Sequence, residues 1–224
     1  ILFDLSNGGE KQWSNNPYPN LGKQAYKNLN PKFELGSVGA GCGAQGGTMK
    51  GGLGSASFKL SNGITVGALV AANPAGDATD ETGRHFWAAP FEVGNEFGGF
   101  AAPNGGSYAK SFKRSELFPL EDRANTTIGI VATDADLTKA QAQRLATSAH
   151  DGIARAIVPS HLPYDGDLIF ASSTNELPLR DEIYDLAEIC HAASLCMARA
   201  IARGFYNAEN LPGDPMPTYK KFNS

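Results

Sequence analysis

The chain has 224 residues, 42% of them hydrophobic and 19% charged, with a net charge of −4, the composition of an ordinary globular protein long enough for one large domain. No block of Lys and Arg is present to bind phosphates, which argues against a nucleic-acid partner, and no apolar run approaches the ~18 residues of a membrane span. Cys42, Cys190 and Cys196 are an odd set, and the last two would lie roughly 9 Å apart along a helix, too far for a disulfide. Free thiols weakly favour a reducing compartment, and a cytoplasmic location is the expectation, with the periplasm as the alternative.

The chain opens on Ile1-Leu2-Phe3-Asp4, without Met or a signal-peptide pattern, so it is expected to be processed or to be part of something longer. Residues 1–35 read as mostly irregular surface, with a helical turn over Ala25 to Leu29. Glycines crowd between Gly36 and Gly54, which points to close backbone approach. The next segment predicts a hairpin, Ser55 to Leu60 and Ile64 to Ala72, joined through Asn62-Gly63. Residues 75–124 lack a period and read as an excursion or mobile linker.

From Thr126 the texture changes. A strand over Thr127 to Thr133 precedes a helix whose start carries a capping-box pattern, Thr138 with Gln141. Its apolar face is Ala142, Leu145, Ala149, Ile153 and Ile157. "DGDLIFASST" predicts a short buried strand. A helix from about Arg180 to Gly204 follows, with Ile183, Leu186, Ala187, Cys190, Ala193, Met197 and Ile201 inward.

Several motifs carry no chemistry. "GCGAQG" satisfies G-x-G-x-x-G, but Thr48 to Gly52 cannot open a helix and the next Asp is Asp77, so a dinucleotide site is unsupported. "GGTMKGG" lacks the Lys-Ser/Thr pair of a phosphate loop. His85, His150, His161 and His191 show no metal-ligand spacing and read as surface or helix-face residues. No serine or cysteine stands in a nucleophile elbow. Asn125-Thr126-Thr127 matches a glycosylation sequon, but a buried strand follows it. What remains is Lys50, Asn73, Thr126 and the pair Asp165/Asp167, each with an ordinary structural explanation of its own.

"NTTIGIVATDADLTKAQAQRLATSAHDGIARAI" with "DGDLIFASSTNE", and "NGGEKQW" with "GAGCGAQGGTMKGGLGSAS", resemble the peptidase family of L-aminopeptidase/D-amidase-esterases, β-aminopeptidases and nylon-oligomer endo-hydrolases. The match covers most of the chain, most strongly Gly39 to Ala72 and Asn125 to Leu179. It implies an α/β (α+β) fold, a four-layer αββα sandwich of the N-terminal-nucleophile-hydrolase type. It further implies a single domain that cuts itself at Asn125-Thr126 into residues 1–125 and 126–224, with Thr126 as nucleophile. The aminopeptidase branch typically has serine after glycine at the cut; Asn125-Thr126 resembles the nylon-oligomer branch instead.

By resemblance, Asp165 and Asp167 orient the hydroxyl and the new amine, Lys50 balances their charge, and Asn73 donates to the oxyanion. The resemblance implies no cofactor and no metal, an oligomeric or small-molecule amide substrate attacked endo-wise, and a homo-oligomer. Family members also carry an upstream glycine-rich segment that nothing here matches, so the chain is expected to work with such a segment. The alternatives are an aminopeptidase of the same family, with Glu34, Asp77 or Glu96 as ammonium anchor, an acetyltransferase of the ornithine acetyltransferase type, and an inert, uncut binding module.

Overall fold

A computed structural model of the chain describes residues 11–103 and 125–224. Its centre is one four-stranded sheet in sequence order: β1 (Gly52–Lys59), β2 (Thr65–Asn73), β3 (Thr126–Ala135) and β4 (Leu168–Leu177). β1, β2 and β3 run antiparallel, while β3 and β4 pair in parallel. Parallel neighbours need a crossover, here α2 (Lys139–Ala156). The long α3 (Tyr184–Tyr206) lies beside α2 across the same face of the sheet.

Alternation sorts the strands into two faces. Val66, Ala68, Val70 and Ala72 of β2, Val131 of β3 and Ile169 of β4 are buried toward the helices with Leu145, Ile153, Ile189, Met197 and Ile201. The residues between them, Ile128, Ile130, Leu168 and Phe170, point the other way, and Phe170 is 56% exposed. One sheet with one helical layer is the part of the expected four-layer sandwich that the described residues build. "DGDLIFASST" therefore forms a largely exposed edge strand, not the buried one its apolar residues suggested, since only the face toward α2 and α3 is covered.

The helices meet the sheet with glycines at the contact. A Cβ at Gly54 would run into the carbonyl oxygen of Ala200, one at Gly52 into that of Gly204, and one at Gly152 of α2 into that of Ser194. Gly52 and Gly54, at the end of the glycine-rich stretch, thus bring α3 onto the sheet, and β1 starts at Gly52, ahead of the expected Ser55. The hairpin turn is as predicted, with Gly63 at φ 94° and Asn62 Oδ1 accepting the Ile64 N–H at 3.1 Å.

The capping box at Thr138 and Gln141 is complete. The second long helix starts later than Arg180, because the Asp185 carboxylate accepts the Arg180 and Asp181 N–H groups and closes a turn there. Its inner face is centred on Ile189, Ala193, Cys196, Met197 and Ile201, while Ile183 is exposed outside the helix.

Two further expectations are corrected. Tyr18–Lys27 form a full helix, α1, because Pro17 and Pro19 sit in its first turn, where proline is tolerated. Residues 75–103 are not a linker: Phe86 and Phe97 are buried with ring centroids 5.4 Å apart, and Phe86 stacks at 4.6 Å on Tyr219 of α4 (Tyr219–Phe222). The remainder of that expected excursion, 104–124, lies outside the described residues.

Gly54→Ala should be destabilised by about 1–3 kcal/mol or more, the overpacking range, because the atoms in its way are backbone of α3. Urea denaturation checks this; an unchanged midpoint would mean the helix sits further from β1.

Candidate active site at the start of β3

Thr126 is the first residue of β3 and pairs with Asn73, the last residue of β2. It is 4% exposed, and its hydroxyl donates to the carbonyl oxygen of Asn125 at 2.6 Å. The same carbonyl accepts the Gly166 N–H at 2.9 Å. The Asn125–Thr126 peptide bond is thus polarised by one backbone donor, with a hydroxyl beside it.

The opposing loop is Asp165-Gly166-Asp167. Asn125 and Asp165 form a parallel bridge that continues the β3–β4 register past the strand ends. Asp167 Oδ1 accepts the Thr127 N–H at 2.9 Å. Asp165 accepts the Ala75 and Leu162 N–H groups, both at 3.1 Å. Burial first, and the neighbouring Asp167 second, hold the Asp165 carboxyl above its ordinary range; the two backbone bonds oppose this. Gly166 has a steric role as well, since a Cβ there would stand 2.7 Å from Thr126 Oγ1.

Asn73 is fully buried, and its Oδ1 accepts the Gln45 N–H at 2.9 Å, which makes Nδ2 the donor end of the amide. Lys50 is 2% exposed, and its ammonium is paired with Asp214, whose carboxylate also accepts the Leu211 N–H. Its backbone N–H is held by the Pro217 carbonyl at 2.8 Å.

The structure therefore joins Asn73, Asn125, Thr126, Asp165 and Asp167 at one end of the sheet. Lys50 enters from the glycine-rich loop and carries its own counter-ion, so the expectation that it balances Asp165 and Asp167 is modified: its ion pair is with Asp214. Asp214 gave no local signal, being 164 residues away. Nor did the sequence reveal Gly166 as an amide donor or His161 as an Asp167 neighbour, with Nδ1 and Oδ2 2.8 Å apart. The only hint was the place of His161 just ahead of the DGD turn.

Asn125 Oδ1 and Thr127 Oγ1 are buried with no hydrogen-bond partner among the described residues. Such groups cost about 1–3 kcal/mol, so packing does not account for this polar run. Among the described residues no group of three or more His, Cys, Asp or Glu side chains is placed to hold a metal, and no helix is long and apolar enough to cross a membrane.

The start of β3, at one end of a sheet under one helical layer, thus carries a threonine hydroxyl facing a loop with two carboxylates. Residues 1–217 match Peptidase family S58, and the chain belongs to that family. An uncharacterised aminopeptidase of Mycobacterium tuberculosis is 36% identical over 230 residues, covering 98% of this chain and 65% of the relative. A 6-aminohexanoate-oligomer endohydrolase of a Kocuria species is 30% identical over 176 residues, covering 72% of this chain and 46% of the relative. The solved L-aminopeptidase D-Ala-esterase/amidase of Ochrobactrum anthropi, described as a variant of the N-terminal-nucleophile hydrolase fold, superposes with a TM-score of 0.60 at 25% identity, covering 87% of this chain and 51% of that one. The chain thus shares the α/β sandwich of these enzymes and spans between about half and two thirds of their length.

A carboxyl whose pKa is raised on folding holds its proton more tightly when folded. Its stability contribution is fully present below the unfolded pKa of about 3.9 and is lost as pH rises through the raised value. The stability advantage of Asp165 over the Asp165→Asn variant should therefore shrink as pH rises from about 4 to 7. Urea midpoints across that range check it, and a pH-independent difference would refute it.

Proposed function

We propose that the protein is a self-processing amide hydrolase whose nucleophile is Thr126. The observation that carries this reading is the Thr126 hydroxyl 2.6 Å from the Asn125 carbonyl oxygen, on a peptide bond already polarised by the Gly166 N–H.

In the first step Thr126 Oγ attacks the Asn125 carbonyl carbon and gives its proton to the carboxylate pair, while Gly166 N–H stabilises the oxyanion. The C–N bond breaks as the Thr126 nitrogen takes a proton, leaving an ester that water hydrolyses to an Asn125 carboxylate and a Thr126 with a free amine. That amine, with a reference pKa of about 7.7–8.0, then serves as base for the hydroxyl in each turnover, and no histidine is needed. The substrate acyl group passes to Oγ, with Asn73 Nδ2 as oxyanion donor, a role worth roughly 2.7–4 kcal/mol when such a donor is removed. The amine leaves protonated, and water releases the acid.

The substrate favoured is an internal amide of a linear oligoamide or peptide, as in the name of the Kocuria relative. An aminopeptidase must place a carboxylate on the substrate's ammonium, since a buried charge without a partner is costly. Two candidate anchors are engaged within the protein: Asp77 accepts the Thr48 N–H and hydroxyl, and Glu96 is paired with Arg199. Glu34 is exposed. The second reading, an aminopeptidase, is supported by the name of the mycobacterial relative. Family membership supports hydrolysis over acetyl transfer.

Freshly purified full-length protein should run as two pieces on a denaturing gel, the smaller one beginning at Thr126, and Thr126→Ala should remain one chain. A mutant that still yields that fragment would mean an outside protease makes the cut. Comparable rates on an N-acetylated linear oligoamide and its free-amine twin are expected of an endo-hydrolase. A loss of about a hundredfold on acetylation, near 2.7 kcal/mol, would establish the aminopeptidase reading.

A further inference from the structure

His161 plays no part in the chemistry above, yet the fold holds it against that chemistry. Its Nδ1 stands 2.8 Å from Asp167 Oδ2, and the other oxygen of Asp167 accepts the Thr127 N–H at 2.9 Å. The contacts run from His161 through Asp167 to the residue following the nucleophile. The Asp167 side chain is 4% exposed, so its charge depends on donors supplied by the protein.

The imidazole is fixed from behind. Its ring packs on that of His150 of α2 with centroids 5.3 Å apart, and its Nε2 lies 3.4 Å from the His150 carbonyl oxygen. His161 adopts φ 54°, a left-handed conformation that is uncommon outside glycine and in which Asn, Asp and His are enriched.

We propose that His161 is a positioning residue for Thr126, acting through Asp167: its Nδ1–H holds the carboxylate in the orientation that fixes the first peptide units of β3. The proposal rests on the Thr126 reading and adds to it the residue that orients one of its two carboxylates. Among the described residues, the titratable groups that act on the imidazole are Asp165 and Asp167 from the loop before β4 and His150 from α2, whose own neighbour is Asp151. Burial, and after it the neighbouring His161, hold the His150 pKa below its ordinary value.

Two variants separate this role from simple packing. Asn and Asp both suit the left-handed backbone, both remove the ring that packs on His150, and they differ in what they offer Asp167. In H161N the amide nitrogen takes the place of Nδ1 and donates; in H161D two carboxylates face each other. The measurements, on the full-length protein, are the rate of cleavage at Asn125–Thr126, kcat/KM of the processed enzyme, thermal midpoints and the pH profile of each.

H161N should stay within about threefold of wild type and H161D should fall by more than about tenfold. Facing carboxylates share a proton more readily as pH falls, so the ratio of H161D to wild type should rise toward acid pH. An equal fall in both variants, or an H161D protein that matches wild type at every pH, would overturn the proposal in favour of ring packing. If wild type itself is not cut at Asn125–Thr126, the nucleophile reading fails and this proposal with it. If wild type is cut, Thr126→Ala is not, and the two His161 variants behave alike, the His161 proposal alone falls.

Discussion

The parallel pairing of β3 with β4 is the constraint from which the site follows. Its register, Ile128 opposite Leu168, continues backward without a shift to Asn125 opposite Asp165. That continuation sets an amide N–H from Gly166 on the Asn125 carbonyl and a carboxylate from Asp167 on the Thr127 N–H. Because a one-residue slip would turn every side chain to the other face, the same register that buries Val131 and Ile169 under the helices also aligns the polar residues at the strand ends. Packing energy in the middle of the sheet thereby holds geometry at its edge.

The helical layer adds rigidity to that arrangement. α3 is pressed onto β1 through Gly52, Gly54 and Gly204, and α2 onto α3 through Gly152, so backbone meets backbone with no side chain between. Glycine in a strand or helix is unfavourable by roughly 0.5–1 kcal/mol relative to alanine, and its repetition at these contacts is explained by the approach it permits. Thr126, alternating with Val131's face, lies on the opposite side with Ile128 and Ile130. This is the side on which Leu168 and Phe170 are 45% and 56% exposed. The candidate site and these exposed apolar residues therefore share one face of the sheet.

What could be read in the sequence was local in sequence. The Thr138 and Gln141 cap, the Asn62-Gly63 turn and the apolar stripe of α2 each depend on residues a few positions apart, and each is found where the spacing put it. Helix α1 was missed because its prolines lie at the start of the helix, a position where they do not break it. The exposure of β4 was misjudged because Leu168, Ile169 and Phe170 carry no information about which face will be covered. The order around Phe86 and Phe97 depends on Tyr219, more than a hundred residues away, and no periodicity announces it. At the site, the Asn125-Thr126 step and the DGD turn were legible through family likeness. Asp214 was not, since its meeting with Lys50 is created only by the path of the C-terminal loop.

The charge balance of the site follows from that last contact. With the Lys50 ammonium neutralised by Asp214, the two carboxylates opposite Thr126 rely on backbone N–H groups and on His161, and burial first, then the Asp167 charge, makes Asp165 reluctant to ionise. Cleavage ahead of Thr126, on the proposed mechanism, would place a new amine at the start of β3, beside that pair. An ammonium there would add a positive charge facing Asp165 and Asp167. The group that processing creates as the base for turnover would thus also complete the electrostatics of the residues meant to orient it.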